Sequence, residues 1–392
     1  MKVVGVPLET LRTRTSEKWS GFAPDILPMP VAEMDFNLAE PIREILVNLI
    51  LNSDTGYLGN TDHLSRNFAE FAKERWDWIV NTKQFFLCTD VSVGVIEMAR
   101  TIVQPGEKIM VNSPVYLSMF NWIKELKCET VDAPMKQDGL VYTLDLAAIE
   151  AGYKEGVKIH FLCNPQNPTG SVHSRAELEG IAVLAFKYGV YVFSDEIHGA
   201  LVFDEAQFIP YLSVSDNARE YGVCITSASK AWNLAGLKCA FIVTDSERMV
   251  EFAKLMPISV RYRTSLFGAH AAAKAFECGE WLDAVIEILD HNRKYLAAQL
   301  EEKLPKALYR LPNCSYLAWI DMSAYDLGEN PCDYILEHGK LALTPGHLFG
   351  PACQQFVRLN FATSEEIIAE GVDRLVQAVK VKDVSLLTST PL

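Results

Sequence analysis

The chain has 392 residues, 49% of them hydrophobic and 22% charged, with 36 Lys+Arg against 50 Asp+Glu for a net charge of −14. These proportions exclude wholesale disorder, and a core of this size needs no disulfide staples. So negative a chain, with no basic run, also argues against nucleic acid and anionic membranes as partners, although a local pocket of Arg and backbone N–H groups can still hold a small anion.

The N-terminal MKVVGVPLETLRTRTSEKW has no apolar segment long enough for a signal peptide. Strand-like runs follow at FFLC (85–88), KIMV (108–111), CETVDA (128–133), KIHFLC (158–163), VYVFSD (190–195), VCIT (223–226) and CAFIVT (239–244). Between them lie helical patterns such as VIEMARTIV (95–103) and RAELEGIAVLAFKYG (175–189). Strands buried on both faces read as continuous apolar runs, so this alternation predicts a mostly parallel sheet with helices on both sides. Residues 264–304 read as helical, with no strand until YLAWIDM (316–322). FVRLNFA (356–362) then leads into TSEEIIAEGVDRLVQAV (363–379), a helix that Thr363 or Ser364 can N-cap, with Glu366 near the capping-box position. The final VSLLTSTPL reads as a loose tail.

The predicted fold class is α/β, a large domain with a mostly parallel seven-stranded sheet between helices plus a smaller α+β C-terminal domain. The predicted bounds are an N-terminal arm with part of the small domain at 1–45, the large domain at 46–260, an interdomain helix and small domain at 261–380, and a tail at 381–392. Nine cysteines are scattered without a C-x-x-C pair, several inside apolar strand runs, which predicts reduced thiols and neither a disulfide framework nor a zinc site. No apolar stretch approaches the ~18–20 residues of a membrane span. A soluble, cytoplasmic protein is the expectation.

Three motifs sit at predicted strand ends. NPQNPTG (164–170) follows KIHFLC, SDEIH (194–198) ends the next strand, and SASKAWNLAGLK (227–238) follows VCIT. Each alone is also what a well-made turn, a helix-capping carboxylate or a surface lysine looks like. Their order matters more: Asn167, Asp195 and Lys230, 28 and 35 residues apart, fall at successive C-terminal strand mouths. Open α/β sheets bind ligands there, and the three side chains are expected to converge on one crevice.

The set N-P-x-N-P-T-G, S-D-E-I-H and S-x-S-K-x-x-N-L-A-G-L resembles fold-type I pyridoxal-phosphate (PLP) enzymes of the aminotransferase class I/II superfamily. RTSEKW (14–19), VAEMDF (31–36), the Gly-Tyr pair at 56–57, SPVY (113–116) and DEIH narrow it to the MalY/PatB branch of cystathionine β-lyase-type C–S lyases. The likeness runs from about residue 10 to about residue 380. It implies that Lys230 holds the cofactor as a Schiff base and, once displaced by substrate amine, moves the α-proton. It implies that Asp195 pairs with the pyridine nitrogen and that Asn167 reaches the phenolic oxygen. His198 would share that oxygen or pack behind it. Tyr116 would lie over the ring and near the leaving group.

The same likeness gives the phosphate to Ser227, Ser229, Lys238 and the backbone of Ser92 and Val93 in the turn DVSVG, a helix-start anion site. Tyr57 would reach the phosphate from a neighbouring subunit, making a homodimer with shared active sites. Arg358 would clamp the substrate carboxylate bidentately beside Asn167 and Tyr116. Three positions depart from the pattern. Lys238 stands where many aminotransferases carry Arg, Pro30 where an aromatic often precedes VAEMDF, and DVSVG lacks the usual Gly beside Ser92.

The resemblance implies α,β-elimination on L-cystathionine or a cysteine S-conjugate, giving a thiol, pyruvate and ammonia. Proton abstraction at Cα is shared with transamination, so an aminotransferase is the alternative. A regulatory binding protein on the same scaffold is a third, opposed by intact Lys230, Asp195, Asn167 and Arg358.

Overall fold

A computed structural model of the chain describes residues 3–388. Seven strands form the main sheet: β1 (Phe85–Cys88), β2 (Lys108–Val111), β3 (Glu129–Asp132), β4 (Val157–Cys163), β5 (Tyr191–Asp195), β6 (Gly222–Thr226) and β7 (Ala240–Val243). Their order is β1-β7-β6-β5-β4-β2-β3. Neighbours from β3 through β6 run parallel, while β7 is antiparallel to both β1 and β6. The sheet is mixed and mostly parallel, as the apolar runs predict.

Strand period two divides the core between the sheet's faces. Leu162, Val192, Phe241 and Val243 join one buried cluster; Phe161, Cys163, Phe193, Ala240 and Ile242 join the other. Both faces are dry, which is why these strands carry apolar residues without alternation. The crossover helix Arg175–Tyr188 starts on a capping box, with the Ser174 hydroxyl accepting from Glu177 N–H, and ends at Gly189 with φ +68°.

The helix predicted at 95–103 begins earlier, at Val91, because Asp90 caps it: its carboxylate accepts the Val93 N–H at 2.9 Å. DVSVG is therefore a cap plus first turn rather than a separate loop. The helical stretch expected over 264–304 divides into Leu266–Phe276 and Gly279–Lys303. A short strand, β8 (Leu308–Tyr309), precedes β9 (Leu317–Asp321) in the region read as strand-free.

With β10 (Thr344–Pro345) and β11 (Phe356–Asn360), these strands form an antiparallel sheet ordered β8-β9-β11-β10. The last helix, Glu365–Thr388, takes Ser364 as its cap, and it is helical through Thr388 where a tail was expected from 381; residues 389–392 lie outside those described. An N-terminal strap crosses between the two sheets, with Leu27–Pro28 pairing in parallel with Leu341–Ala342. All nine cysteines are free thiols, eight of them buried. Among the described residues no His/Cys/Asp/Glu cluster could hold a metal, and no helix is long and apolar enough to cross a membrane.

Candidate active site

The C-terminal ends of β4, β5 and β6 open onto a cavity of about 660 Å³. Asn167, Asp195, His198, Ser229 and Lys230 line it from the main sheet; Arg358 and Thr344 line it from the small one. Tyr116, Ser92, Val93 and Lys238 complete the wall with Pro30–Ala32 of the strap. Ten of the twelve residues singled out in the sequence thus meet in one crevice. The other two do not. Ser227 lies beneath Ser229, donating to Cys239 O at 2.7 Å and accepting from the Ser229 hydroxyl at 2.7 Å. Tyr57 is 88% exposed and is no part of its own chain's cavity.

Lys230 Nζ donates to Ala32 O at 3.0 Å. Burial lowers its pKa to about 8; the Arg358 guanidinium pushes the same way, against Glu33 and Asp195. Asp195, at the end of β5, accepts the Ile197 N–H at 3.2 Å, and burial raises it to about 7 against the pull of Lys230. Its neighbour Glu196 is turned away. That carboxylate accepts from Tyr211 N–H at 2.7 Å and Ser194 Oγ at 2.9 Å, so of the two acids in SDEIH only Asp195 lines the cavity. His198 is buried, its Nδ1 has no hydrogen-bond partner, and burial with the Lys230 and Arg358 charges lowers it to about 3. It is a neutral imidazole.

Arg358, in the middle of β11, lies 4.9 Å over the Phe349 ring and donates to Asn167 Oδ1 at 3.1 Å, Pro30 O at 3.1 Å and Thr344 Oγ1 at 3.3 Å. Burial lowers it to about 10, still cationic at neutral pH, and its Nε is buried without a partner. Asn167 thus gives its carbonyl to Arg358 and keeps its amide group as a donor. Lys238 Nζ stands 3.4 Å from the Asp90 carboxylate that already takes the Val93 N–H. The helix start expected to offer free N–H groups therefore has one engaged and an acid beside it. Tyr116 packs edge-on to Trp122 with ring centroids 6.1 Å apart.

Thr344, Ala32 and Asn233 were not anticipated as site residues. Thr344 carries no local motif. Asn233 stands inside the quoted S-x-S-K-x-x-N-L-A-G-L, and its side chain makes two 2.9 Å bonds to the backbone of Met34.

The sequence profile of the family Aminotransferase class I and II matches residues 48–375. The chain belongs to that family. Among its relatives, a cystathionine β-lyase of Corynebacterium glutamicum is 34% identical over 94% of this chain and 98% of that one. The cystathionine β-lyase PatB of Bacillus subtilis is 30% identical over 91% and 93%. A crystal structure of a candidate PLP-dependent β-cystathionase from Corynebacterium diphtheriae superposes with a TM-score of 0.91 at 30% identity, covering 96% of this chain and 99% of that one. The aminotransferase class I/II family thus includes the C–S lyase branch that the motifs of this chain resemble.

The lining fits a pyridoxal phosphate on observations of its own. Asp195 is a buried carboxylate with no cation in hydrogen-bonding contact, a site that a protonated ring nitrogen would complete. His198 Nδ1 and Arg358 Nε are buried donors or acceptors without partners. Lys230 is a desolvated amine with a lowered pKa, the condition for covalent carbonyl chemistry.

Proposed function

We propose that this family member is a PLP-dependent carbon–sulfur β-lyase acting on L-cystathionine or a related cysteine S-conjugate. The observation that carries the reading is the convergence of Lys230, Asp195, Asn167 and Arg358 on one buried crevice. The names of the relatives support the choice of lyase over transaminase. Bound PLP supplies an electron sink for charge developing at Cα. In this reading Lys230 holds the cofactor covalently, Asp195 keeps its ring nitrogen protonated, and Asn167 and His198 face its phenolic oxygen. Ser229, Lys238 and the Ser92 backbone would hold the phosphate, with Ser227 fixing Ser229 from behind and the Val93 N–H already given to Asp90.

Arg358 orients the substrate by its carboxylate, offering Nε while Asn167, Pro30 and Thr344 hold the rest of the guanidinium. Once the substrate amine has displaced it, the free Lys230 amine would take the proton from Cα, and the electron pair released would expel thiolate from Cβ. Tyr116, on the cavity wall, would lie near the leaving thiolate. The aminoacrylate left behind takes up water and yields pyruvate and ammonia. High exposure of Tyr57 supports a homodimer in which that side chain serves the partner's phosphate site. Free, mostly buried cysteines support a reduced, cytosolic setting. Domain boundaries near residues 45 and 260 belong to the same reading.

The test is pyruvate release from cystathionine without added keto acid, read beside the visible spectrum. Lys230→Ala is expected to lose both the visible band and pyruvate production. Amino transfer to 2-oxoglutarate without pyruvate from any S-substituted cysteine would replace the lyase by a transaminase.

A further inference from the structure

The strap that closes the crevice is held largely through its backbone, and between Pro30 and Met34 mostly through carbonyls. Pro30 O accepts from Thr344 and Arg358, Val31 O and Glu33 O from Asn360, and Met34 O from Asn233. Beneath it, Asp35 accepts from Lys18 Nζ at 2.7 Å and Trp19 Nε1 at 2.8 Å. One oxygen differs from the others in what it receives. Ala32 O accepts from Lys230 Nζ at 3.0 Å and from the Tyr316 hydroxyl, also at 3.0 Å.

We propose that Tyr316 is a positioning residue for Lys230, acting through the Ala32 carbonyl oxygen that both side chains share. Tyr316 is wholly buried at the start of the small sheet and does not line the cavity. Its hydrogen-bonded path to the amine therefore runs through this oxygen. The carbonyl has two lone pairs, and two donors on one oxygen weaken each other. Donation by Tyr316 leaves Ala32 O a poorer acceptor for an ammonium and so favours the neutral amine. The shared oxygen also fixes the direction of one donor on Lys230 and leaves the nitrogen free to turn its lone pair toward a proton. The charged and titratable groups around this amine are Asp195 and His198 at the end of β5, Arg358 on β11 and Glu33 on the strap. None of them bonds to Ala32 O, so removing the hydroxyl breaks none of their hydrogen bonds, and phenylalanine keeps the edge-on contact of this ring with His198, centroids 6.2 Å apart. The strap itself stays anchored by Asn233 and Asn360.

This inference rests on the reading that Lys230 holds the cofactor and moves the proton. Tyr316→Phe is the variant that isolates it, with two readouts on the full chain. The first is the pH profile of kcat and of KM for cystathionine. The second is the pH dependence of the rate at which cofactor-stripped protein regains the visible band after pyridoxal phosphate is added. Both limbs that report the neutral amine are expected to move to higher pH in Tyr316→Phe. Near neutral pH, kcat falls several-fold, KM is unchanged, and the loss is recovered at alkaline pH. Profiles that superimpose on wild type, even with a lower melting temperature, would overturn the positioning role and leave Tyr316 a packed tyrosine. Lys230→Ala separates the two levels. If it keeps the visible band, the reading of Lys230 fails and the inference goes with it; if it loses the band while Tyr316→Phe moves nothing, only the inference falls.

Discussion

The crevice has two walls built on different principles. The main-sheet wall is a row of side chains at strand ends, where register fixes each residue to within its neighbours' packing. The opposite wall is backbone: five residues of strap, Pro30 to Met34, whose carbonyls are caught by side chains from both sheets. The first wall concentrates chemistry and leaves buried groups short of partners. The second satisfies nearly every polar group and contributes order. Residues of the first should therefore cost activity without costing the fold, and residues of the second the reverse.

Asp195→Asn is the largest expected break on the first wall. Loss of the buried carboxylate opposite a cationic ring nitrogen costs roughly 3–5 kcal/mol, or a hundred- to several-thousand-fold in kcat/KM. The sign for stability is opposite. Burial raises Asp195 to about 7, above its ordinary 3.8, so the cofactor-free fold holds that proton more tightly than the unfolded chain does. Stability is lost as pH rises through that window and the loss is complete above about pH 7. Asp195→Asn should therefore make the cofactor-free protein more stable at pH 8, measured by chemical denaturation, while the cofactor-loaded enzyme is nearly dead. Equal or lower stability of that variant would break the contrast.

Lys18→Met tests the second wall. Lys18 and Asp35 are each 1% exposed, and removing the cation leaves Asp35 buried with only the Trp19 N–H. Stability should fall by about 3–5 kcal/mol. Adding Asp35→Leu should recover part of that, because an apolar pair replaces a buried ion pair at little cost while the Trp19 N–H loses its acceptor. In the double variant kcat should stay within a few-fold of wild type. A kcat that collapses with the strap intact would show that the strap does more than hold.

The two walls were also unequally legible. Asn167, Asp195 and Lys230 announce themselves because each sits in a short local motif directly after an apolar run, and a parallel sheet brings successive strand ends together. Arg358 is the one cation in FVRLNFA, and its role comes from the family likeness. The strap's role was not legible, since its acceptors are main-chain oxygens with no residue signature. Its partners are also remote: Asn233 reaches Met34 across 199 residues and Arg358 reaches Pro30 across 328. VAEMDF was noticed, but as a family mark rather than as a bracket. The helix at Val91 was placed late because its first turn, VSVG, is β-branched and Gly-containing, and propensity hid a sound Asp90 cap. Glu196 follows Asp195 in the same motif, yet just past the strand end its carboxylate turns to Ser194 and Tyr211 and leaves the crevice to Asp195.

Arg358→Lys sharpens the comparison at the point where the walls meet. Arginine holds Asn167, Pro30 and Thr344 and still has Nε to offer; lysine has three donors on one nitrogen and cannot do both. One charge-assisted bond lost is worth about 1.5–3 kcal/mol, so kcat/KM should drop roughly 10- to 100-fold, mostly through KM. A drop confined to kcat would place the guanidinium in the chemical step instead of in substrate orientation.

The smallest effect expected concerns pH and centres on the first wall, with the Ala32 carbonyl the strap's one point of contact with it. Lys230 must be neutral to take a proton, and burial beside Arg358 lowers it from 10.5 to about 8. The neutral fraction therefore grows as pH rises, so kcat should climb about tenfold per unit well below pH 8 and level off above it. Asp35 and Lys18 carry no part in that limb, and the double variant that removes them should leave its midpoint in place. Arg358→Lys keeps the positive charge in the crevice and should move it little. Arg358→Met removes the charge that helps push the amine down, and the midpoint should then rise toward the ordinary lysine value. A midpoint that follows the Lys18 and Asp35 substitutions and ignores Arg358 would mean that the buried ion pair beneath the strap, and not the crevice charge, sets the amine.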